Sequence, residues 1–190
     1  MINRSKNITL FWTAALLTGC CLFISCENDV KQVDDLTKKV VMKEKVIGVQ
    51  SYLSENGEVK AKLTAPLMWR VYADTVYIEF PRSLHVDFYK NKKIDTRLDC
   101  KYGKYFEQYN KVLLQDSVLV ITIKGDTLKS PELWWNQNTG MFYTDKYAIY
   151  HSAGQQIVGG KGLEATQDLS SVTFHSPTGT VKVSENGFPK

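Results

Sequence analysis

Asp116 to Ile123 reads DSVLVITI. Apart from its polar start it holds only β-branched residues and leucine, the composition of a strand rather than of a surface helix. Its neighbours follow the same rule: Val76 to Phe80, VYIEF, alternates in period two. From Val46 onward no stretch carries a helical stripe, and turn signals interrupt the strands at Glu55-Asn56-Gly57, Lys124-Gly125-Asp126, Asn138-Thr139-Gly140 and Ser152-Ala153-Gly154. The pattern predicts an all-β domain: a sandwich, a barrel or an open roll.

A weak internal repeat narrows the choice. Asp116-Ser117-Val118-Leu119-Val120 aligns with Asp145-Lys146-Tyr147-Ala148-Ile149 at an offset of 29, and Gly125 meets Gly154 at the same offset. Asp95-Thr96 meets Asp126-Thr127 at 31. Each unit is a polar turn, a strand, a bend at Asp or Ser, a second strand and a Gly turn, so the units stack as successive turns of a roll. Counting alternate positions through the repeat places Ile78, Phe80, Leu84, Val86 and Phe88 on one face, with Val112, Leu114, Val118 and Val120, then Tyr143, Tyr147 and Ile149. That face is apolar throughout, as either a filled core or a ligand groove would be. On the other face Tyr77, Glu79, His85 and Asp87 are half polar, whereas Leu119, Ile121 and Ile123 are not. Val118 to Ile123 therefore needs cover on both sides, from a central position or from a partner.

The N-terminal part is an export signal. Arg4 and Lys6 precede an uncharged apolar run, Ile8 to Ser25, that ends at Cys26. Cleavage before Cys26 in LFISCEND leaves the small Ser25 ahead of the cut and a cysteine free to take a lipid. Cys20 in LTGC is the less favoured lipidation site, because it would leave an apolar stub on the mature chain. The alternative is an uncleaved anchor helix, since 18 uncharged residues approach the roughly 20 that span a bilayer. Residues 1–25 are thus read as a lipoprotein signal peptide or membrane anchor, 26–45 as a charged tether reaching about 60 Å when extended, and 46–190 as one domain. Cys20, Cys21 and Cys26 belong to the targeting segment, and Cys100 alone lies in the body, which excludes an internal disulfide there. Without residues 1–25 the chain carries 22 basic and 20 acidic side chains, a balance that does not suit a nucleic-acid partner.

Catalysis, metals and cofactors find no support. His85, His151 and His175 lack ligand spacing, no histidine lies near Cys100 in sequence to activate it, and VGGKGLE lacks the glycine spacing and Ser/Thr of a phosphate loop and reads as a turn. Trp134-Trp135 invites a sugar-stacking platform, yet neighbouring strand residues face opposite ways, so one packs inside.

The closing segment GGKGLEATQDLSSVTFHSPTGTV, Gly159 to Val181, together with FISCEND and the alternating repeat, resembles the LptC family, the periplasmic component of the lipopolysaccharide export transporter. Gly160-Lys161-Gly162-Leu163-Glu164-Ala165, then Asp168-Leu169 and Phe174, carry the likeness, which spans about Val46 to Val181. The resemblance implies an open β-jellyroll of two facing antiparallel sheets built from stacked quasi-repeats, whose apolar groove holds the acyl chains of lipopolysaccharide or lipid A. It implies no enzyme activity and no cofactor. It implies a protein held on the periplasmic face of the inner membrane, which the Cys26 segment reads as lipid-anchored, taking glycolipid from an inner-membrane ABC transporter at an edge near Val46 to Leu53. A periplasmic bridge protein of the LptA type would join at the edge strands Ser171 to Val183. The family's commonest anchor is an uncleaved helix, from which the cysteine-terminated segment departs. A carbohydrate- or protein-binding lipoprotein and a structural envelope scaffold are the other readings of the residues.

Overall fold

A computed structural model describes residues 42–181, and these fold as an almost purely antiparallel β structure. Signal segment, Cys20, Cys26 and nearly all of the tether lie outside the described residues. The strands are β1 (Met42–Glu55), β2 (Glu58–Tyr72), β3 (Tyr77–Phe80), β4 (Leu84–Lys90), β5 (Lys93–Cys100), β6 (Tyr102–Phe106) and β7 (Lys111–Thr122). They continue as β8 (Thr127–Asn136), β9 (Met141–Thr144), β10 (Ala148–Ser152), β11 (Gln155–Gly159), β12 (Leu163–Thr166), β13 (Val172–Phe174) and β14 (Pro177–Val181). A single 3₁₀ turn, Glu107–Tyr109, separates β6 from β7. β1 begins at Met42, inside the stretch read from sequence as tether.

The two expected sheets are one continuous 14-stranded sheet doubled over on itself. β1, β2, β7 and β8 each cross the fold and contribute to both layers. Pairing in the first layer runs from the N-terminal part of β1 through the C-terminal part of β2, β3, β6, the start of β7, the end of β8, β9 and β12 to β13. In the second layer it runs from the end of β1 through the start of β2, β4, β5, the end of β7, the start of β8, β10 and β11 to β14. Hairpin tips line the side opposite the bends. This is the open jellyroll, with turns at Asn56-Gly57 and Asn91-Lys92 that take the positive φ a tight hairpin requires.

Corners are made by residues that suit them. Asp116 and Ser117 both have φ near +60° and together oppose the single Pro131, a bulge that sharpens the bend. Pro131 has no N–H to lose from the ladder, and Pro66 stands in the same way opposite Gly48 at the β1–β2 corner. Lys101, Asp116, Pro131, Lys146, Lys161 and Ser176 all mark corners, at an even spacing of 15 residues. The corners are also bonded to each other: Lys101 N–H donates to Asp116 O at 3.0 Å and Lys161 N–H to His175 O at 3.1 Å.

Between the layers lies a continuous core. Leu98, Leu114, Val120, Leu133, Phe142, Ala148 and Leu163 are fully buried, and Phe88 of the second layer meets Trp135 of the first edge-on, with ring centroids 4.9 Å apart. Each such leucine or phenylalanine contributes about 1.5–3 kcal/mol by leaving water.

Gly162, in the stretch read as a turn, has φ +96°, and a Cβ there would collide with the carbonyl of Thr144. The corner between β11 and β12 presses against that between β9 and β10 with no room for a side chain. Gly162→Ala is therefore expected to cost roughly 2–4 kcal/mol, combining the clash with the left-handed backbone, read as a lowered midpoint in urea unfolding.

Candidate functional site

The inward face divides into a sealed part and an open part. Leu84, Leu114, Val118 and Val120 are at most 2% exposed and belong to the packed core. Toward β1 the layers separate into a cleft of about 250 Å³, walled by Leu63, Met68, Ile78, Phe80, Tyr105 and Trp135 and also touched by Val86 and Val112. Its lining is mostly carbon. Adjoining it on the hairpin side is a wider, more polar mouth of about 570 Å³, where Lys60, Asn110, Asn138 and Gln167 stand beside Phe88 and Tyr89. Leu53, Ala61, Trp135 and Gln137 border both spaces. The site therefore runs from polar to apolar.

Of the twelve residues read as one inward face, nine lie between the layers: Ile78, Phe80, Leu84, Val86, Phe88, Val112, Leu114, Val118 and Val120. Tyr143, Tyr147 and Ile149 do not. Phe142, Thr144, Ala148 and Tyr150 occupy the inward positions there, while Tyr147 is 51% exposed and Tyr143 stacks on Trp134 outside. The cause is the repeat offset, which is 30 residues from Val118 to Ala148 rather than the 29 between Asp116 and Asp145. A slip of one residue moves every side chain to the opposite face.

Farther toward β14 the open side is shut. Lys90, from the β4–β5 hairpin of the second layer, reaches Asp168, on the β12–β13 loop of the first, at 3.1 Å. Beside this pair Leu169 is 3% exposed and packs into the core. Hydrogen bonds from Ser170, then Lys90 and Thr166, outweigh burial and hold the Asp168 carboxyl far below its ordinary pKa.

Sequence reasoning missed one group at the cleft. Trp135 is 4% exposed, and its Nε1–H has no hydrogen-bond acceptor among the described residues. Such an orphan donor costs about 1–3 kcal/mol. Trp134 faces outward, where Phe106 and Tyr143 stack against it at 5.9 and 6.3 Å, and Lys104 and Lys111 cover Tyr77 and Tyr143. The indole faces needed for a sugar platform are thus already engaged.

Among the described residues no constellation for nucleophilic or metal chemistry is assembled. Cys100 is buried, its thiol donates to Tyr102 O at 3.2 Å, and burial pushes its pKa up to about 12, so it stays protonated and inert. No cluster of His, Cys, Asp and Glu able to hold a metal occurs among the described residues.

A family model described as lipopolysaccharide-assembly, LptC-related, matches residues 11–182. The chain belongs to the LptC family. No curated protein matches it. Family membership makes it a component of lipopolysaccharide transport in the cell envelope, working with the lipopolysaccharide transporter and its bridge proteins, and non-enzymatic in kind. No helix among the described residues is long and apolar enough to cross a membrane.

On the outer face of the second layer, His85 holds a carboxylate at each ring nitrogen: Asp99 on Nδ1 at 2.7 Å and Asp87 on Nε2 at 3.2 Å. Only the imidazolium donates from both nitrogens. Burial pulls its pKa down, and the hydrogen bonds and charges of Asp99 and Asp87 outweigh that, leaving it above the ordinary value. The stabilisation is complete below about pH 6.5, the unfolded value, and is lost as pH rises through the higher folded value. Urea midpoints at pH 5.5 and 8.5 should differ more for the natural chain than for His85→Gln, with the natural chain gaining at the acid side.

Proposed function

We propose that this chain is a lipid-transport relay that receives lipopolysaccharide from an inner-membrane ABC transporter. It passes the acyl chains along the space between its two layers and hands the glycolipid to a periplasmic bridge protein. The observation that carries this reading is the apolar cleft opening on a polar mouth, since an amphiphile has the same two-part chemistry. Each methylene moved from water into such a cleft gains about 0.8 kcal/mol, and the carbohydrate end stays in the hydrated mouth.

The groove residues proposed to meet lipid are Ile78, Phe80, Val86, Phe88 and Val112, which border the cleft or mouth, whereas Leu84, Leu114, Val118 and Val120 are packed in the core and are not assigned to the lipid path. Free edges support the two hand-overs. Among the described residues β1 pairs with β2 alone, and it exposes Val46, Ile47, Tyr52 and Leu53. At the other end β13 pairs only with β12 and β14 only with β11. Strand addition at such edges joins main-chain ladders with little demand on sequence. The transporter is assigned to β1 and the LptA-type bridge to β13 and β14. Residues 1–25 act as a lipoprotein signal with Cys26 the acylated residue, and the tether holds the domain on the periplasmic face.

In-cell photocrosslinking with a probe amino acid at Leu63, Met68 and Ile78 should give lipopolysaccharide adducts, whereas Glu79, Asp87 and Ile149, on the outer faces, should give none. Lack of adducts at all three cleft positions in folded protein contradicts the relay. Paired charge insertions separate conduit from core: Ile78→Asp should keep the fold and lose lipid, whereas Val120→Asp should cost more than about 4 kcal/mol and unfold the chain, as seen by circular dichroism.

A further inference from the structure

We propose that the Trp135 indole N–H is a binding subsite for the ester or amide carbonyl that joins an acyl chain to its headgroup. The inference rests on the amphiphile reading above and adds to it a residue that senses the linkage.

Trp135 stands on the boundary between the two spaces, bordering both the apolar cleft and the polar mouth. An amphiphile with its chains in the cleft and its polar end in the mouth brings one particular group to that boundary, the carbonyl of the acyl linkage. Taken out of water, a carbonyl oxygen needs a donor. The indole N–H is a donor only, uncharged, and in this chain unpaired among the described residues. A phosphate or sugar would instead gain more from the mouth, where Lys60 and several amides stand.

The donor is empty-handed where the two layers meet. Its nitrogen is shut away from solvent, and Phe88 of the facing layer abuts the ring edge-on at 4.9 Å. An incoming chain that parts Phe88 from Trp135 opens the indole edge and delivers the acceptor in the same step. The cost of the orphan donor is then relieved by ligand and by nothing else in the described chain.

The test replaces Trp135 in the full-length chain with benzothienylalanine, which keeps ring size and puts sulfur where the N–H was. Both proteins are titrated in detergent with diacyl phosphatidylglycerol, with its dialkyl ether counterpart that lacks the carbonyls, and with lipid A. The natural chain should prefer the diacyl to the dialkyl lipid by roughly three- to tenfold, and the replaced chain should bind the two alike. The lipid-free replaced chain should also melt higher, because an unpaired buried donor has been removed; a purely structural tryptophan gives no such opposition of stability and affinity. Weakened lipid A binding assigns the subsite to the glycolipid, and weakening confined to phosphatidylglycerol assigns it to phospholipid. Equal ester preference in both chains, or none in the natural chain, overturns the subsite while leaving the relay standing. Failure of the natural chain to bind any of the three lipids removes the relay and the subsite together.

Discussion

The whole architecture depends on one ladder of antiparallel hydrogen bonds being made to turn corners in register with its neighbours, every 15 residues from Lys101 to Ser176. A flat sheet of this many strands would leave an apolar face in water. Doubling it over lets that face cover itself. The bend survives because its polar groups are satisfied from corner to corner: Ser130 Oγ lies 2.6 Å from Glu132 O and 3.1 Å from Tyr147 O, and His175 N–H donates to Gly162 O at 2.9 Å. Prolines sit where the ladder needs no donor, and the left-handed Asp116-Ser117 pair supplies the extra residue on the outside of the bend.

From this constraint follow both the strengths and the failure of reading the sequence alone. Within a straight segment, alternation carries the face without error: Ile78 and Phe80 point in, Tyr77 and Glu79 out, and of the paired tryptophans Trp135 is buried while Trp134 is outside. Across a corner the count is not constant. From Leu114 to Val118 the inward face resumes after four residues, but from Ser130 to Leu133 it resumes after three. Asp116 and Asp145 look alike but do not share a place in the bend, so an offset of 29 puts Tyr143, Tyr147 and Ile149 on the wrong side. The burial of Phe142, Ala148 and Tyr150 shows the proper phase.

Other features could not be legible in a string of residues. An apolar inward face looks the same whether facing side chains meet or part. Leu114 and Val120 meet theirs, while Ile78 and Leu63 border open space, and the difference lies in how far two layers diverge. The Lys90–Asp168 pair joins residues 78 apart in sequence, and the orphan N–H of Trp135 is defined only by the absence of an acceptor nearby. The likeness carried by Gly159 to Val181, by contrast, lies in a continuous stretch of sequence, in which Gly162 takes a φ of +96° and Leu169 fills the core at the open side.

A cleft of about 250 Å³ is smaller than the roughly 300–1,000 Å³ of sites that take one small ligand, so several acyl chains enter only if the layers move apart. The fold is suited to that, being bonded along its corners and joined across its open side by side-chain contacts such as Lys90 to Asp168. The most direct measurement is the distance between spin labels on facing hairpin tips, at Asn91 in the second layer and Asn138 in the first, by pulsed electron resonance with and without lipid A. The relay account predicts a longer distance, or a second longer population, when lipid is bound. An unchanged distance under saturating, bound lipid A would mean that the chains do not lie between the layers, and would contradict it.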